Sequence, residues 1–152
     1  MNISRTRDKK AISKILRHPK VFKWLGDDLS PDNYSPHTED PIIYLIDENK
    51  TAVIRIDPMN GITCNVHIAA TPKMWGKTQE FAETATGWLF KHTRFTKVIA
   101  MVPDFNRLAI RLAGKIGMQQ EGIITKSFLK NWKAHDLVLF GLCKHSGGIE
   151  NG

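Results

Sequence analysis

The sequence predicts an α/β domain built on one mixed sheet. Three observations carry this. Element signals run in the order ααβββαβαββ, with strands and helices alternating only in the second half, so the chain is not doubly wound. Neither a G-x-G-x-x-G nor a P-loop pattern occurs. The 152 residues, 41% hydrophobic and 24% charged, are enough for one ordinary domain with a sizeable core.

Residues 5–18 read as a helix, with Ile12, Ile15 and Leu16 on one face and bases on the other. Pro19 suits the first turn of a second helix carrying Val21, Phe22, Trp24 and Leu25, which Gly26 ends. Ile12, Ile15, Phe22 and Leu25 are expected to pack on the sheet. Residues 27–40, rich in Asp, Pro and Ser, read as a loop. Ile42–Asp47 and Ala52–Asp57 flank a three-residue connection, the spacing of a hairpin. Ile62–Ala70 is the third strand. Lys77–His92 is the strongest helix, with Phe81, Ala85, Trp88, Leu89 and His92 on one face. Lys97–Val102 is a short apolar strand. A strand–helix–strand crossover places it parallel and adjacent to Ile62–Ala70. Phe105–Ile116 is a helix with Leu108, Leu112 and Ile116 inward, stopped by Gly117. Met118–Thr125 and Asp136–Leu142 are the last strands, joined by a loop over Lys126–His135. The single domain spans 1–144, with 1–26 forming basic N-terminal helices and 145–152 a frayed tail.

The net charge of +7 lies wholly in residues 1–24, where eight bases face Asp8 alone. Residues 27–48 invert the sign, with seven acids and no Lys or Arg. The basic end can attract nucleic acid, phosphate or an acidic protein, or can be a solvated face paired with the acidic segment. No helix-turn-helix, RNP or zinc pattern supports nucleic-acid binding. No apolar run approaches the length of a membrane span, and no h-region follows the basic start. Cys64 and Cys143 form neither a ligand cluster nor a disulfide framework, and the histidines lack metal spacing. The expectation is a metal-free cytoplasmic protein.

The run Asn106-Arg-Leu-Ala109-Ile-Arg-Leu-Ala113-Gly-Lys115-Ile-Gly117-Met118, followed by Glu121-Gly122, resembles the N-x-x-A-x-x-x-Y-E-K-x-G-F…E-G pattern of the GCN5-related N-acetyltransferase (GNAT) superfamily. Asp136 fits the aspartate before that family's last strand. Upstream, Val66-His-Ile-Ala-Ala70-Thr-Pro72-Lys-Met-Trp-Gly76-Lys77 is similar to its central strand, proline and pyrophosphate loop. The likeness covers residues 42–142, and spans 67–76 and 102–122 also resemble small bacteriophage-encoded GNAT-like proteins.

The resemblance implies a mixed, mostly antiparallel sheet with helices on both faces, and acetyl-CoA between two splayed strands. Trp75, Gly76, Lys77 and Thr78 would hold the pyrophosphate at a helix N-terminus, where free N–H groups favour anions. The Ala70 amide would hold the acetyl carbonyl, and Asn106 would lie nearby. His67 is the candidate general base toward an amine, a half-buried structural histidine being the alternative. In the R-G-x-G-x-G/A loop pattern only Gly76 survives; Thr78 and Glu80 stand where small residues usually sit. The family's frequent tyrosine corresponds to Ala113. The function expected is acetyl transfer from acetyl-CoA to an amine, a cationic one if the acidic stretch faces the site. A non-catalytic binding or phage-assembly role on the same fold is the alternative.

Overall fold

A computed structural model describes residues 1–31 and 34–145 of the chain. Seven strands form one sheet: β1 (Ile3–Thr6), β2 (Ile43–Asp47), β3 (Ala52–Pro58), β4 (Thr63–Ala70), β5 (Lys97–Pro103), β6 (Gln119–Lys130) and β7 (Lys133–Cys143). Their order is β1-β2-β3-β4-β5-β7-β6. Among the described residues only β4 and β5 run parallel, joined through α3 (Thr78–His92) as the crossover reading predicts. The helices α1 (Lys9–Leu16) and α2 (Pro19–Leu25) cover one face, while α3 and α4 (Arg107–Lys115) cover the other. The fold is therefore the expected one, mixed, mostly antiparallel and covered on both sides.

Strand alternation sorts the core into two layers. Leu45, Ile54, Ile56, Cys64 and Val66 pack with Phe81, Ala85 and Leu89 on the α3 side. Tyr44, Ile46, Val53 and Ala69 pack with Ile12, Ile15 and Val21 on the α1 side. Burying the Ile12 and Ile15 side chains completely is worth about 1.5–3 kcal/mol each, enough to hold a short helix with little intrinsic stability.

Four expectations are corrected. Arg5 and Thr6, expected to start the first helix, belong to a strand over residues 3–6 that completes the sheet edge on β2, and Asp8 caps α1 by accepting from the Ala11 amide. Phe22 and Leu25 do not seal against the sheet: about 40% of each remains exposed, and Val21 takes the buried position. Leu108 is 68% exposed, while Ala109, Ile110, Ala113 and Ile116 form the inward stripe of α4, because small residues let this helix sit close. The Lys126–His135 loop is instead the end of a long hairpin, turning at Asn131 and Trp132, both at positive φ. Irregularities in its register break the alternation that would reveal it in sequence. Of the tail, residues 146–152 lie outside the described residues.

Candidate functional site

The sheet opens between β4 and β5. Their pairing covers only Thr63↔Lys97 to Asn65↔Ile99, and beyond it β4 runs on without β5. The β3–β4 ladder continues to Ala52↔Ala70. The bonds Met59 N–H to Thr63 O and Thr71 N–H to Thr51 O, both 2.9 Å, show that odd-numbered β4 residues bond toward β3. Antiparallel alternation therefore turns the N–H and C=O groups of Ile68 and Ala70 the other way, into the gap. There the Ala70 carbonyl accepts the Trp75 indole N–H at 3.3 Å.

From Ala70 the chain passes through a 3-10 turn at Pro72–Met74. Gly76, at φ +90°, then turns it into α3, and the space where a Cβ would lie is empty. Lys77 is the N-cap residue and makes no side-chain cap. The Thr78 hydroxyl donates back to the Met74 carbonyl at 3.5 Å, away from the helix amides. Helix geometry leaves the Thr78, Gln79 and Glu80 N–H groups without intrahelical acceptors, aligned with the positive end of the dipole. The Glu80 carboxylate, expected to repel an anion, pairs with the Met1 ammonium at 3.5 Å. Asn106 follows the end of β5 and caps α4, its Oδ1 accepting from the Ala109 amide at 3.2 Å, which leaves Nδ2 for another partner.

His67 projects to the other side of β4, into a cavity of about 610 Å³ beneath α1 and α2. Phe22, Leu25, Tyr34, Arg55, Asp57 and His67 are among its walls. Arg55 lies directly across the ladder from His67. It grips Asp57 with two bonds of 2.8 and 2.9 Å and donates to the Tyr34 hydroxyl at 2.6 Å. These partners outweigh desolvation and hold the guanidinium charged. Asn65 Nδ2 donates to His67 Nε2 at 3.1 Å, the pattern of a neutral ring protonated at Nδ1. Crowding by protein around the ring, open though its cavity side is, lowers the His67 pKa below the ordinary histidine value; the Arg55 charge acts in the same sense and Asp57 opposes. Burial pushes the Tyr44 phenol, also in the cavity wall, above its usual range, with Tyr34 adding to the effect.

The seven residues singled out in the sequence thus divide. Ala70, Trp75, Gly76, Lys77 and Thr78 line the path from the gap to the start of α3, Asn106 stands past the end of the opposite strand, and His67 faces the cavity. Ala113 is 4% exposed and embedded in the core, and its methyl group offers no acid to a leaving thiolate. Cys64 is fully buried, its thiol pushed up to about 12 by desolvation with help from Asp57, which removes it as a nucleophile. Neither the pair Arg55–Asp57 nor the tyrosines Tyr34 and Tyr44, which do not fall at the family's tyrosine position, stand out as site residues in the sequence. One signal was available: β3 carries Val53, Arg55 and Asp57 on one face of an otherwise apolar strand.

Among the described residues, the acidic stretch gives the cavity only Asp27 and Asp28, and its other acids lie elsewhere. Asp47 is buried in the β2–β3 turn, accepting from three backbone amides and the Thr51 hydroxyl. Asp28 accepts from the Asn131 and Trp132 amides at 3.1 and 2.7 Å, fastening the hairpin tip. Asp27 closes its own turn, and Asp40 pairs with Arg5 and Arg7, which hold its carboxyl below the usual range. Among the described residues no cluster of His, Cys, Asp and Glu is arranged to hold a metal ion, and no helix is long and apolar enough to cross a membrane.

No protein-family model and no curated protein matches the sequence. Solved structures match its shape. Spermidine N-acetyltransferase from Vibrio cholerae, in complex with CoA and spermine, is similar at a TM-score of 0.75 and 15% identity, over 93% of this chain and 94% of that one. A GNAT-family acetyltransferase from Bacillus anthracis aligns at a TM-score of 0.58 and 21% identity, over 67% of this chain and 65% of that one. The ribosomal-protein-S5-alanine acetyltransferase of Vibrio fischeri aligns at 0.57 and 15% identity, over 67% and 60%. The chain has the GNAT fold.

Proposed function

We propose that the protein transfers an acetyl group from acetyl-CoA to an amine. The observation that carries this reading is the gap between β4 and β5, with the Ile68 and Ala70 backbone groups turned into it and an uncapped helix N-terminus at its end. The fit to CoA is chemical. The Thr78, Gln79 and Glu80 amides suit the pyrophosphate, Lys77 adds charge, and Gly76 leaves open space beside them. Acetyl-CoA would supply an activated thioester, whose C–S bond breaks as the amine nitrogen bonds to the carbonyl carbon, CoA leaving as a thiolate that takes up the second amine proton. The Ala70 amide is the donor available to its carbonyl oxygen, and the free amide nitrogen of Asn106 is available from the opposite wall.

His67 prepares the nucleophile. A neutral imidazole accepts the proton of the incoming ammonium at Nε2, directly or through one water, exchanging its bond to Asn65. The cavity under α1 and α2 receives the rest of the amine and screens it from bulk water. Calorimetric titration with acetyl-CoA tests the reading: binding to the wild type, lost in Gly76→Glu, supports it. Silence at millimolar CoA refutes it. That silence would favour the second reading, a binding or assembly role on the same fold, for which the buried Ala113 speaks.

A further inference from the structure

The substrate class follows from where the charges are left. The amine cavity continues outward into an open groove of about 520 Å³ along α1, and Ser13 and Arg17 line both. Lys9, Lys10, Lys14 and His18 form the rest of that groove. Among the described residues no carboxylate lies within ion-pair distance of Lys9, Lys10, Lys14 or Arg17. Asp27 and Asp28 stand in the cavity wall, Asp27 accepting from its own turn and Asp28 from the hairpin amides, and Asp40 pairs with Arg5 and Arg7. Within the cavity Asp57 is held by Arg55. A polycation would therefore meet unpaired positive charge at the entrance before it reached the carboxylates of the cavity.

We infer that the acceptor is the N-terminal α-amine of an acidic peptide segment, its first residues in the cavity and its following carboxylates on the α1 groove. This rests on the acetyl-transfer reading and specifies its substrate. Three physical arguments favour it. An anionic chain gains attraction from every cation of the groove. The half-exposed Phe22 and Leu25 give an apolar wall to the leading side chains. An α-ammonium, with a pKa near 7.7–8.0, loses its proton to a histidine far more readily than a lysine or polyamine ammonium above about 10. A nucleic acid would satisfy the groove, but its base amines are conjugated and poor nucleophiles.

Fluorescence anisotropy with a peptide labelled at its C-terminus, bearing a free N-terminal Ala followed by four Glu, gives a readout independent of CoA. The peptide is expected to bind with an affinity that falls as salt rises, and its Gln analogue to bind about tenfold more weakly, the sum of a few exposed ion pairs. The combined variant Lys9→Gln, Lys10→Gln, Lys14→Gln should no longer distinguish the two peptides. In an acetylation assay the acidic peptide should surpass both its Gln analogue and spermidine in kcat/KM, with the label on the α-nitrogen by mass spectrometry. Failure of acidic and Gln peptides to differ, tighter binding of a single-stranded oligonucleotide of equal charge, or preference for spermidine would overturn the inference. If acetyl-CoA itself does not bind, the acetyl-transfer reading fails, and this assignment of an acceptor amine falls with it.

Discussion

Gly76 and Gly87 both belong to the α3 segment, and both have nothing within 4 Å of where a Cβ would lie. A methyl group at either meets no clash, so only the backbone decides the outcome. Gly87 sits within the helix, where Ala is the better helix former by roughly 0.5–1 kcal/mol. Gly76 stands at φ +90°, a conformation that costs an L side chain on the order of 1–2 kcal/mol. Gly87→Ala should therefore raise stability. For a chain of this size each kcal/mol moves Tm by about 2–4 °C, so Gly76→Ala should lower Tm by roughly 2–8 °C. The strain has an outlet that matters for function. If the turn relaxes to a negative φ, the amides after it lose their alignment, and the stability loss reappears as weaker CoA binding, by about 5- to 30-fold for the same 1–2 kcal/mol. The two variants, compared by calorimetric unfolding and by acetyl-CoA titration, should show opposite signs in Tm, with an affinity change only at position 76. A Gly76→Ala protein with wild-type Tm and wild-type affinity would refute the assignment of this turn as a shaped anion cradle.

Because the folded His67 resists a proton that the unfolded chain accepts, stability should decline as pH falls through about 6.5. The acetylation rate, kcat/KM, should fall over the acid side of the same window, and His67→Gln should remove both dependences while costing about 10²- to 10⁴-fold in rate; a pH profile of rate and of urea midpoint measures this. Asp47→Ala leaves the buried Ala52 amide and two turn amides without their acceptor, so it should cost about 3–5 kcal/mol, read as a lower urea midpoint with little change in slope. Glu80→Ala removes a carboxylate at the start of α3 that Met1 now holds, and acetyl-CoA affinity by titration should stay constant or improve.

Local signals were enough for much of the architecture. The helical period of α3, the hairpin spacing of β2 and β3, and the crossover joining β4 to β5 each depend on residues close in sequence, where period and turn chemistry are explicit. The same holds for the loop from Ala70 to Thr78 and for Asn106 as a helix start, because a strand end, a glycine turn and a cap leave marks within a few residues. Strand β1 left none: four residues with only their ends half-buried owe their conformation to the edge of β2. The long β6–β7 hairpin likewise depends on its partner strand and on Asp28, far away in the chain.

For the site, the sequence determined which chemistry was available, a strand histidine and a glycine at the mouth of a helix. The tertiary structure decided what surrounds them. Register set Arg55 across from His67, and alternation pointed the Ala70 backbone into a gap that exists only because β5 diverges. Charge was redistributed most of all. In sequence the acidic run after α2 stands ready to neutralise the basic N-terminus, but a carboxylate is held by whichever amide or guanidinium the fold brings within bonding distance. Asp28 went to the hairpin, Asp40 to Arg5 and Arg7, and Asp47 to its own turn, so the cations of α1 were left to face solvent. Hydrogen bonds and ion pairs act over a few ångströms of space, whereas composition counts charges along the chain, and only the folded structure converts one into the other.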